Sequence, residues 1–434
     1  MRTTTIYQYL SRRRPRQCCF FSSGRVWDPT AYDAFRDART KPAMDLLHGC
    51  IAIMPIIASS SASASSPASP PSSHHKIIWD LGCGSGTMLP ILRNNVFSDA
   101  ASTTIHAVDS SRTMLETAKH RVLQYASADN KDDQKNSIVF HNTDIETFVE
   151  NNATRRRTFQ PQDPPQPQAD LIYSNAALHW LPALQLQPVL TKLYTDCLKP
   201  GGILAFQIPD SRLQPSHLVL DELVAATVDD LDDFVFSSSF RTVRVPRNEV
   251  DMEVYHTLFS SLMDNNNKNN NGDGKSCDSN RTNNTKDDTT TKHDKNNSSN
   301  NNIAIWTTTY LHPLPYYASA GASTAAASTS RRTTTTSTNT TQNNSSNHHP
   351  HPVYDFYAST GLGPFLEACI DEQEKETFIA RYNQRMFDCY PVVCDTTADH
   401  KSSSGTQKKD DGTVFLEVTR LFVTVRKPEE KGRQ

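Results

Sequence analysis

An α/β protein with a doubly wound, mostly parallel sheet is the fold class predicted for this sequence. Three observations predict it. Strand-like apolar runs alternate with helical periodicity from Lys76 to Pro209. These runs are mostly apolar throughout, the pattern of strands covered by helices on both faces. The first run passes directly into Asp80-Leu81-Gly82-Cys83-Gly84-Ser85-Gly86 and then a helix, a turn suited to a strand–helix crossover.

The elements follow in order. Residues 1–25 carry Arg2, Arg12, Arg13, Arg14, Arg16 and Arg25, with no acidic residue before Asp28. The expectation is a transit peptide or a disordered basic tail. From Trp27 on, Tyr32, Phe35, Ala38, Ala43, Leu46 and Leu47 recur at roughly helical spacing, predicting an amphipathic lead-in broken at Pro42. A low-complexity insert spans 51–75. Strands are predicted at Lys76–Leu81, Thr104–Asp109, Ile138–Asn142, Ala169–Ser174 and Gly202–Pro209. Helices are predicted between them at Thr87–Asn94, Arg112–Tyr125 and Leu184–Cys197. Helical patterns resume at Ser216–Leu231 and Val250–Met263, and a sixth strand at Ile303–Leu311. The Asn/Asp/Lys/Ser/Thr run 264–302 and the Ser/Thr/Ala insert 318–350 are low in large apolar residues and are expected to be disordered. Val353–Ala368 and Asp371–Tyr390 read as helices, the second opened by the carboxylates Asp371 and Glu374. Val414–Arg426 is a long strand of alternating character. One domain is expected over 26–430.

Composition narrows the function classes. The chain has 434 residues, a net charge of -3 and 36% hydrophobic residues, below the ~45–50% of ordinary domains because of the inserts. No apolar run approaches the ~18–20 residues of a membrane span, so no membrane partner is expected. Near-neutral charge argues against a nucleic-acid partner held by bulk electrostatics. The nine cysteines form no close Cys-x-x-Cys pair, so neither a disulfide scaffold nor a metal site is expected. Scattered cysteines fit a reducing compartment, cytoplasmic or mitochondrial. A monomer is expected.

The glycine loop carries the chemistry. Alternate glycines let backbone turn sharply and approach a ligand, and the following helix N-terminus supplies free N–H groups. A nicotinamide dinucleotide loop would place its third glycine at 87, which is Thr87. Here it comes one residue early, at Gly86. Asp109 ends the second strand, where a carboxylate can accept both hydroxyls of a ribose. Ser110 follows it. Met114 is placed either to cover an adenine face or to fill the core. Asp144, before Ile145, is either an acceptor for an adenine amino group or a helix cap. Asn175 and Ala176 follow the fourth strand, at the sheet edge where ligands of open α/β sheets sit.

These motifs resemble the class I S-adenosylmethionine-dependent methyltransferases, and more narrowly the trans-aconitate methyltransferases. The narrower resemblance lies in Trp27-Asp28-Pro29, Arg39-Thr40-Lys41-Pro42, Ser174–Pro182, Gln207-Ile208-Pro209-Asp210, Trp306–Tyr310, Thr360–Pro364, Arg381-Tyr382 and Arg420-Leu421-Phe422. It implies a Rossmann-like methyltransferase sheet, mostly parallel with the last strand antiparallel, carrying helical cap elements. It implies S-adenosylmethionine as cofactor, bound by Asp80, Gly82, Cys83, Gly84, Gly86, Asp109, Ser110, Met114, Asp144, Ile145, Asn175 and Ala176. It implies a small polycarboxylate substrate, methylated to an ester. Arg39, Arg381 and Arg420 are candidate cationic forks, with Trp27, Tyr32, Trp180 and Tyr310 as walls. An acid with a pKa near ~4 is already ionised at neutral pH, so no catalytic base is expected. The alternatives are another acceptor, such as a quinone, sterol or phenol, or a methyltransferase fold serving as a non-catalytic assembly factor.

Overall fold

The computed structural model describes residues 27–54, 75–97, 100, 102–126, 136–157, 168–226, 234–243, 250–270, 302–316, 350–394 and 412–429. The N-terminal segment 1–25 and most of the inserts lie outside the described residues.

A short lead-in helix and a long one come first. Asp28 caps α1 (Pro29–Asp33) by accepting from Thr30 N at 2.8 Å. Helix α2 (Arg36–Ile53) then runs through Pro42, so the expected break at Pro42 is not found. The chain turns at Ala34–Phe35 instead. A proline within a helix costs about 3 kcal/mol. Pro42, Ala43, Leu46, Leu47 and Cys50 are all buried on one side of α2, and each large apolar side chain so buried returns about 1.5–3 kcal/mol.

Strand β1 (His75–Leu81) follows, with its last five residues buried. Then come α3 (Leu89–Asn95), β2 (Ser102–Asp109), α4 (Arg112–Ala126), β3 (Asn136–Asn142) and α5 (Ile145–Arg157). Strand β4 (Ala169–Asn175) precedes α6 (Ala183–Lys192), a π turn at Leu193–Cys197, and β5 (Leu198–Asp210). The helix expected over Leu184–Cys197 thus changes its winding in its last turn.

β1 pairs in parallel with both β2 and β4, β2 with β3, and β4 with β5. β8 (Gly412–Arg426) joins β5 antiparallel, from Ile203↔Arg426 to Asp210↔Thr419. The full order is β3-β2-β1-β4-β5-β8-β6, with β6 at Ile303–Tyr316 and the short β7 (Val393–Cys394) on β8. The predicted sheet class is therefore observed, last strand included. Its strand order reverses between β1 and β4, the place where open α/β sheets leave a crevice at their carboxyl ends.

The chain divides into two units. One is drawn from Phe20–Ser211, Pro246–Thr309 and Thr419–Gln434. Its core is built on Trp79, Phe148, Ile172, Leu190, Phe206 and Val423, with α9 (Met252–Asn270) contributing Tyr255 and Phe259. That helix continues seven residues past the expected Met263, into the Asn-rich run.

The other unit is drawn from Arg212–Val245 and Tyr310–Val418. It holds α7 (Pro215–Ala225), α8 (Ser238–Thr242), α10 (Pro352–Ala358), α11 (Gly363–Ala368) and α12 (Glu372–Cys389). The single helix expected over Val353–Ala368 is broken where Thr360 N and Leu362 N both donate to Tyr357 O. Phe236, Phe240, Phe365 and Phe378 form its aromatic centre, with Phe236 and Phe240 stacked at 4.2 Å. The expected carboxylate start of α12 is present. Asp371 accepts from Glu374 N at 2.8 Å, and Glu374 reaches back to Ile370 N at 2.7 Å.

On the outer strands of the sheet, His106 Nδ1 lies 2.9 Å from His141 Nε2, with the rings stacked. Burial, aided by His141 and His75, lowers the His106 pKa to about 4, and burial lowers that of His141. Both rings are neutral in the fold, while an unfolded histidine takes up a proton below about pH 6.5. The stabilisation is therefore complete above that pH and lost as pH falls toward 4. Denaturant titrations should show roughly 2 kcal/mol of stability lost between pH 7 and 4.5 through this pair, screening of the partly exposed rings included. His106→Gln should flatten that decline.

Candidate active site

The site grows from the turn that follows β1. Gly82, Gly84 and Gly86 all have positive φ, at 75°, 54° and 77°. A Cβ on Gly82 would lie 2.2 Å from the Ala177 Cβ, and one on Gly86 2.7 Å from the Ala118 Cβ. A Cβ on Gly84 would meet nothing within 4 Å. Two glycines are thus required by packing, and the middle one opens a cradle. The loop is tied to β2 by its own N–H groups. Gly82 N and Cys83 N donate to Val108 O, at 2.8 and 3.0 Å. Gly84 N donates to Asp109 Oδ2 at 2.9 Å, and Ser111 N to Asp109 Oδ1 at 2.8 Å. Asp109 therefore braces the loop, and each of its oxygens keeps a lone pair for a further donor.

Asp80 sits at the end of β1 with 2% of its surface exposed. Its Oδ2 is buried with no hydrogen-bond partner among the described residues. Burial, together with the nearby charge of Asp109, raises its pKa to about 7. Burial and the same two carboxylates push the Cys83 thiol far up, so it is no thiolate nucleophile.

A cavity lies over this loop. Asp80, Gly82, Cys83, Gly84 and Ser85 form one side. Tyr32, Arg36, Arg39 and Thr40 of the lead-in form another, and Asn175 at the end of β4 closes it. The lead-in is clamped to the loop. Asp33 accepts from Ser85 Oγ at 2.8 Å and forms an ion pair with Arg121 of α4. Arg121 also donates to Ser85 O at 2.6 Å and Thr87 Oγ at 2.9 Å. Further along, Thr113 Oγ donates to Trp27 O at 2.9 Å, and the Trp27 and Trp180 rings meet edge-on at 5.5 Å.

The expected residues separate into groups. Asp80, Gly82, Cys83, Gly84 and Asn175 reach one cavity with Tyr32 and Arg39. The Arg39 guanidinium donates to Tyr32 O and lies 4.1 Å from the Tyr32 ring centre. Met114 is 3% exposed and belongs to the core. Asp144 is the cap of α5: its oxygens accept from Thr147 N at 2.7 Å and Thr147 Oγ at 2.9 Å. Ile145 packs against the core, and Ser110 is exposed. Ala176 is the one non-glycine residue with positive φ among those described, at 53°. Arg420 is buried on β8, opposite Pro209. Tyr310, which is buried, and Arg381, on α12, belong to the other unit.

Sequence reading missed Arg36 and Arg121, and held Thr40 and Gln207 only within motifs, with no role in the site. Arg36 and Thr40 share a helix face with Arg39 by their i, i+3, i+4 spacing, so that signal was available. Arg121 was not legible, because its partner Asp33 lies 88 residues away. Among the described residues, no group of three or more His, Cys, Asp or Glu side chains is placed to hold a metal ion. None of the described helices is long and apolar enough to cross a membrane.

Residues 79–204 match the family described as "Methyltransferase domain". A trans-aconitate 2-methyltransferase of Variovorax paradoxus is 28% identical over 55% of this chain and 74% of its own length. One of Paracidovorax citrulli is 30% identical over 46% of this chain and 56% of its own length. The chain thus spans three quarters of one relative and little more than half of the other. A solved arsenic(III) S-adenosylmethionine methyltransferase of Chlamydomonas reinhardtii aligns with 50% of this chain and 61% of that one, at 18% identity and a TM-score of 0.27. Residues 79–204 carry a methyltransferase domain, the chain is similar to the trans-aconitate methyltransferases, and its cofactor is S-adenosylmethionine.

The glycines should respond differently to alanine. Gly84→Ala should fold with a loss of about 1 kcal/mol for its positive φ, yet bind S-adenosylhomocysteine at least tenfold more weakly by calorimetry. Gly82→Ala must also displace Ala177, and should lose several times more stability in a denaturant melt.

Proposed function

We propose that this chain transfers a methyl group to a carboxylate oxygen of a small polycarboxylate, trans-aconitate or a similar acid, giving a monomethyl ester. One observation carries the reading: the arginine-bearing face of α2 and the glycine loop line the same cavity. The names of the related enzymes point to the same acceptor class.

The residues fit the cofactor. Gly84 leaves the cradle open, Asp109 keeps lone pairs for ribose hydroxyls, and Asp80 offers a buried, unpartnered carboxylate to a cationic amino-acid head. Bound S-adenosylmethionine supplies an electrophilic methyl carbon on a sulfonium. Met114 and Asp144 are left out of this assignment because the core and the α5 cap already account for them.

The chain's own part is positioning. A carboxylate acceptor is ionised at neutral pH, so no side chain needs to take a proton. The task is to hold the acceptor oxygen in line with the methyl carbon, and alignment of this kind is worth about 7–11 kcal/mol. Arg36 is exposed at the cavity rim and forms no ion pair among the described residues, so its guanidinium can grip a second carboxylate of the acid. Arg39 is already fixed against Tyr32 and adds positive charge to the same wall. Neither Arg381 nor Tyr310 is needed for this reading.

The test is a methyl-transfer assay over a panel of di- and tricarboxylates, with a quinone and a phenol included, and products identified by mass. An ester of a polycarboxylate is expected; methylation of the quinone or phenol alone would sink the reading. Arg36→Leu should lower kcat/KM for the accepted acid about 10-fold or more, the worth of one charge-assisted contact. Cofactor affinity should not change.

The raised pKa of Asp80 gives a second expectation. With its pKa near 7, Asp80 is partly protonated at neutral pH, and a cationic ligand favours the ionised form. S-adenosylhomocysteine affinity should therefore rise between pH 6 and 8 in calorimetric titrations. Asp80→Asn should remove that slope.

A further inference from the structure

We infer that Gln207 is a positioning residue: it holds the Asn175 amide so that the Asn175 N–H2 group faces the cavity and donates to a ligand carboxylate. The inference rests on the carboxylate reading above for the acceptor. Gln207 lies on β5 directly beside Asn175 on β4, in register. Its Nε2 donates to Asn175 Oδ1 at 2.7 Å. Gln207 is 1% exposed, so water cannot take its place.

The direction of this bond follows from what it leaves unpaired. The buried Gln207 Oε1 has no partner among the described residues. Turning both amides over would pair that oxygen but strand the Gln207 N–H2 group instead. A stranded carbonyl oxygen is tolerated more readily than a stranded N–H. Gln207 therefore remains the donor, the Asn175 oxygen is occupied, and the Asn175 Nδ2 is left for the cavity it lines.

The backbone reinforces the arrangement. Ala176 N donates to Gln207 O at 3.0 Å, and Ala176 is held at φ 53°. Both main chain and side chain of Gln207 thus fix the end of β4. In the same cavity Asp80 is a carboxylate, while Arg36 and Asn175 present donors. The donors suit an anionic oxygen and repel none of its charge.

A carboxylate could come from the acceptor acid or from the amino-acid head of the cofactor, and the experiment separates the two. Gln207→Met in the full chain keeps the volume, removes the stranded oxygen and frees Asn175 to rotate. Its melting temperature should equal or exceed that of the wild type. If the ligand is the acceptor, KM for the accepted acid should rise about 5- to 20-fold with kcat within about 2-fold. If it is the cofactor head, S-adenosylhomocysteine should bind about 5- to 20-fold more weakly by calorimetry. Because Gln207 acts through Asn175, adding Gln207→Met to Asn175→Ala should change nothing further.

Three results would overturn the inference. They are unchanged KM and affinity in Gln207→Met, a double variant whose loss is the product of the single losses, or a loss that follows a melting temperature lowered by several degrees. If the wild type esterified no acid while Gln207→Met weakened cofactor binding, the proposed acceptor would fail and the amide pair would stand.

Discussion

The geometry of this site depends on the bonds between the loop after β1 and the end of β2. Gly82 N and Cys83 N are held by Val108 O, and Gly84 N by Asp109. These bonds turn the chain within three residues and bring its backbone to the carboxyl edge of the sheet. Ala177 fills the space beside Gly82 so closely that only a hydrogen can occupy it. The end of β4 and the loop after β1 are therefore set against each other by contact. Asn175 and Asp80 inherit their separation from that contact, because each is anchored in a strand paired with the other.

A second constraint places the lead-in. Asp33, Ser85 and Arg121 form a closed network in which Arg121 touches the loop, the lead-in and its own helix α4. Both charged side chains are largely withdrawn from solvent, at 13% and 24% exposure. Such a pair adds little net stability over an apolar substitute, but breaking one side is expensive. Its consequence is registration: Tyr32, Arg36, Arg39 and Thr40 arrive over the glycine loop rather than elsewhere on the sheet.

Much of this was legible in the sequence because it rests on local pattern. Apolar runs bounded by turns gave every strand of the parallel sheet, and Asp371 with Glu374 marked the start of α12. Gly82, Gly84 and Gly86 marked the site, since their spacing has a steric cause within a few residues. Other features have no local signature. Pro42 within α2 is tolerated because of what α2 buries, which a helix rule cannot see. Asp144 satisfied both a cap and a ligand reading, and the bond to Thr147 favours the cap. Gln207 gains its place from the pairing of β4 with β5, and Arg121 from a carboxylate far away in sequence. Their meaning exists only once the sheet is assembled.

The cavity's polarity fits its proposed chemistry. A reaction that deprotonates its acceptor would place a basic group beside the nucleophile. Among the residues that line this cavity the carboxylate is Asp80, and pairing with a cationic amino-acid head would hold it ionised and occupied rather than free to take a proton from an acceptor. Arg36 and Arg39 can only donate, and Thr40 and Asn175 add further donors. Donors stabilise charge already present on an oxygen; they do not create it. An acceptor that enters as an anion is matched to such a wall, whereas a neutral phenol would enter still carrying its proton. The separation of one carboxylate toward the loop from several donors toward the lead-in also orders two ligands of opposite local charge within one cavity, a cationic head against Asp80 and an anionic acid against α2.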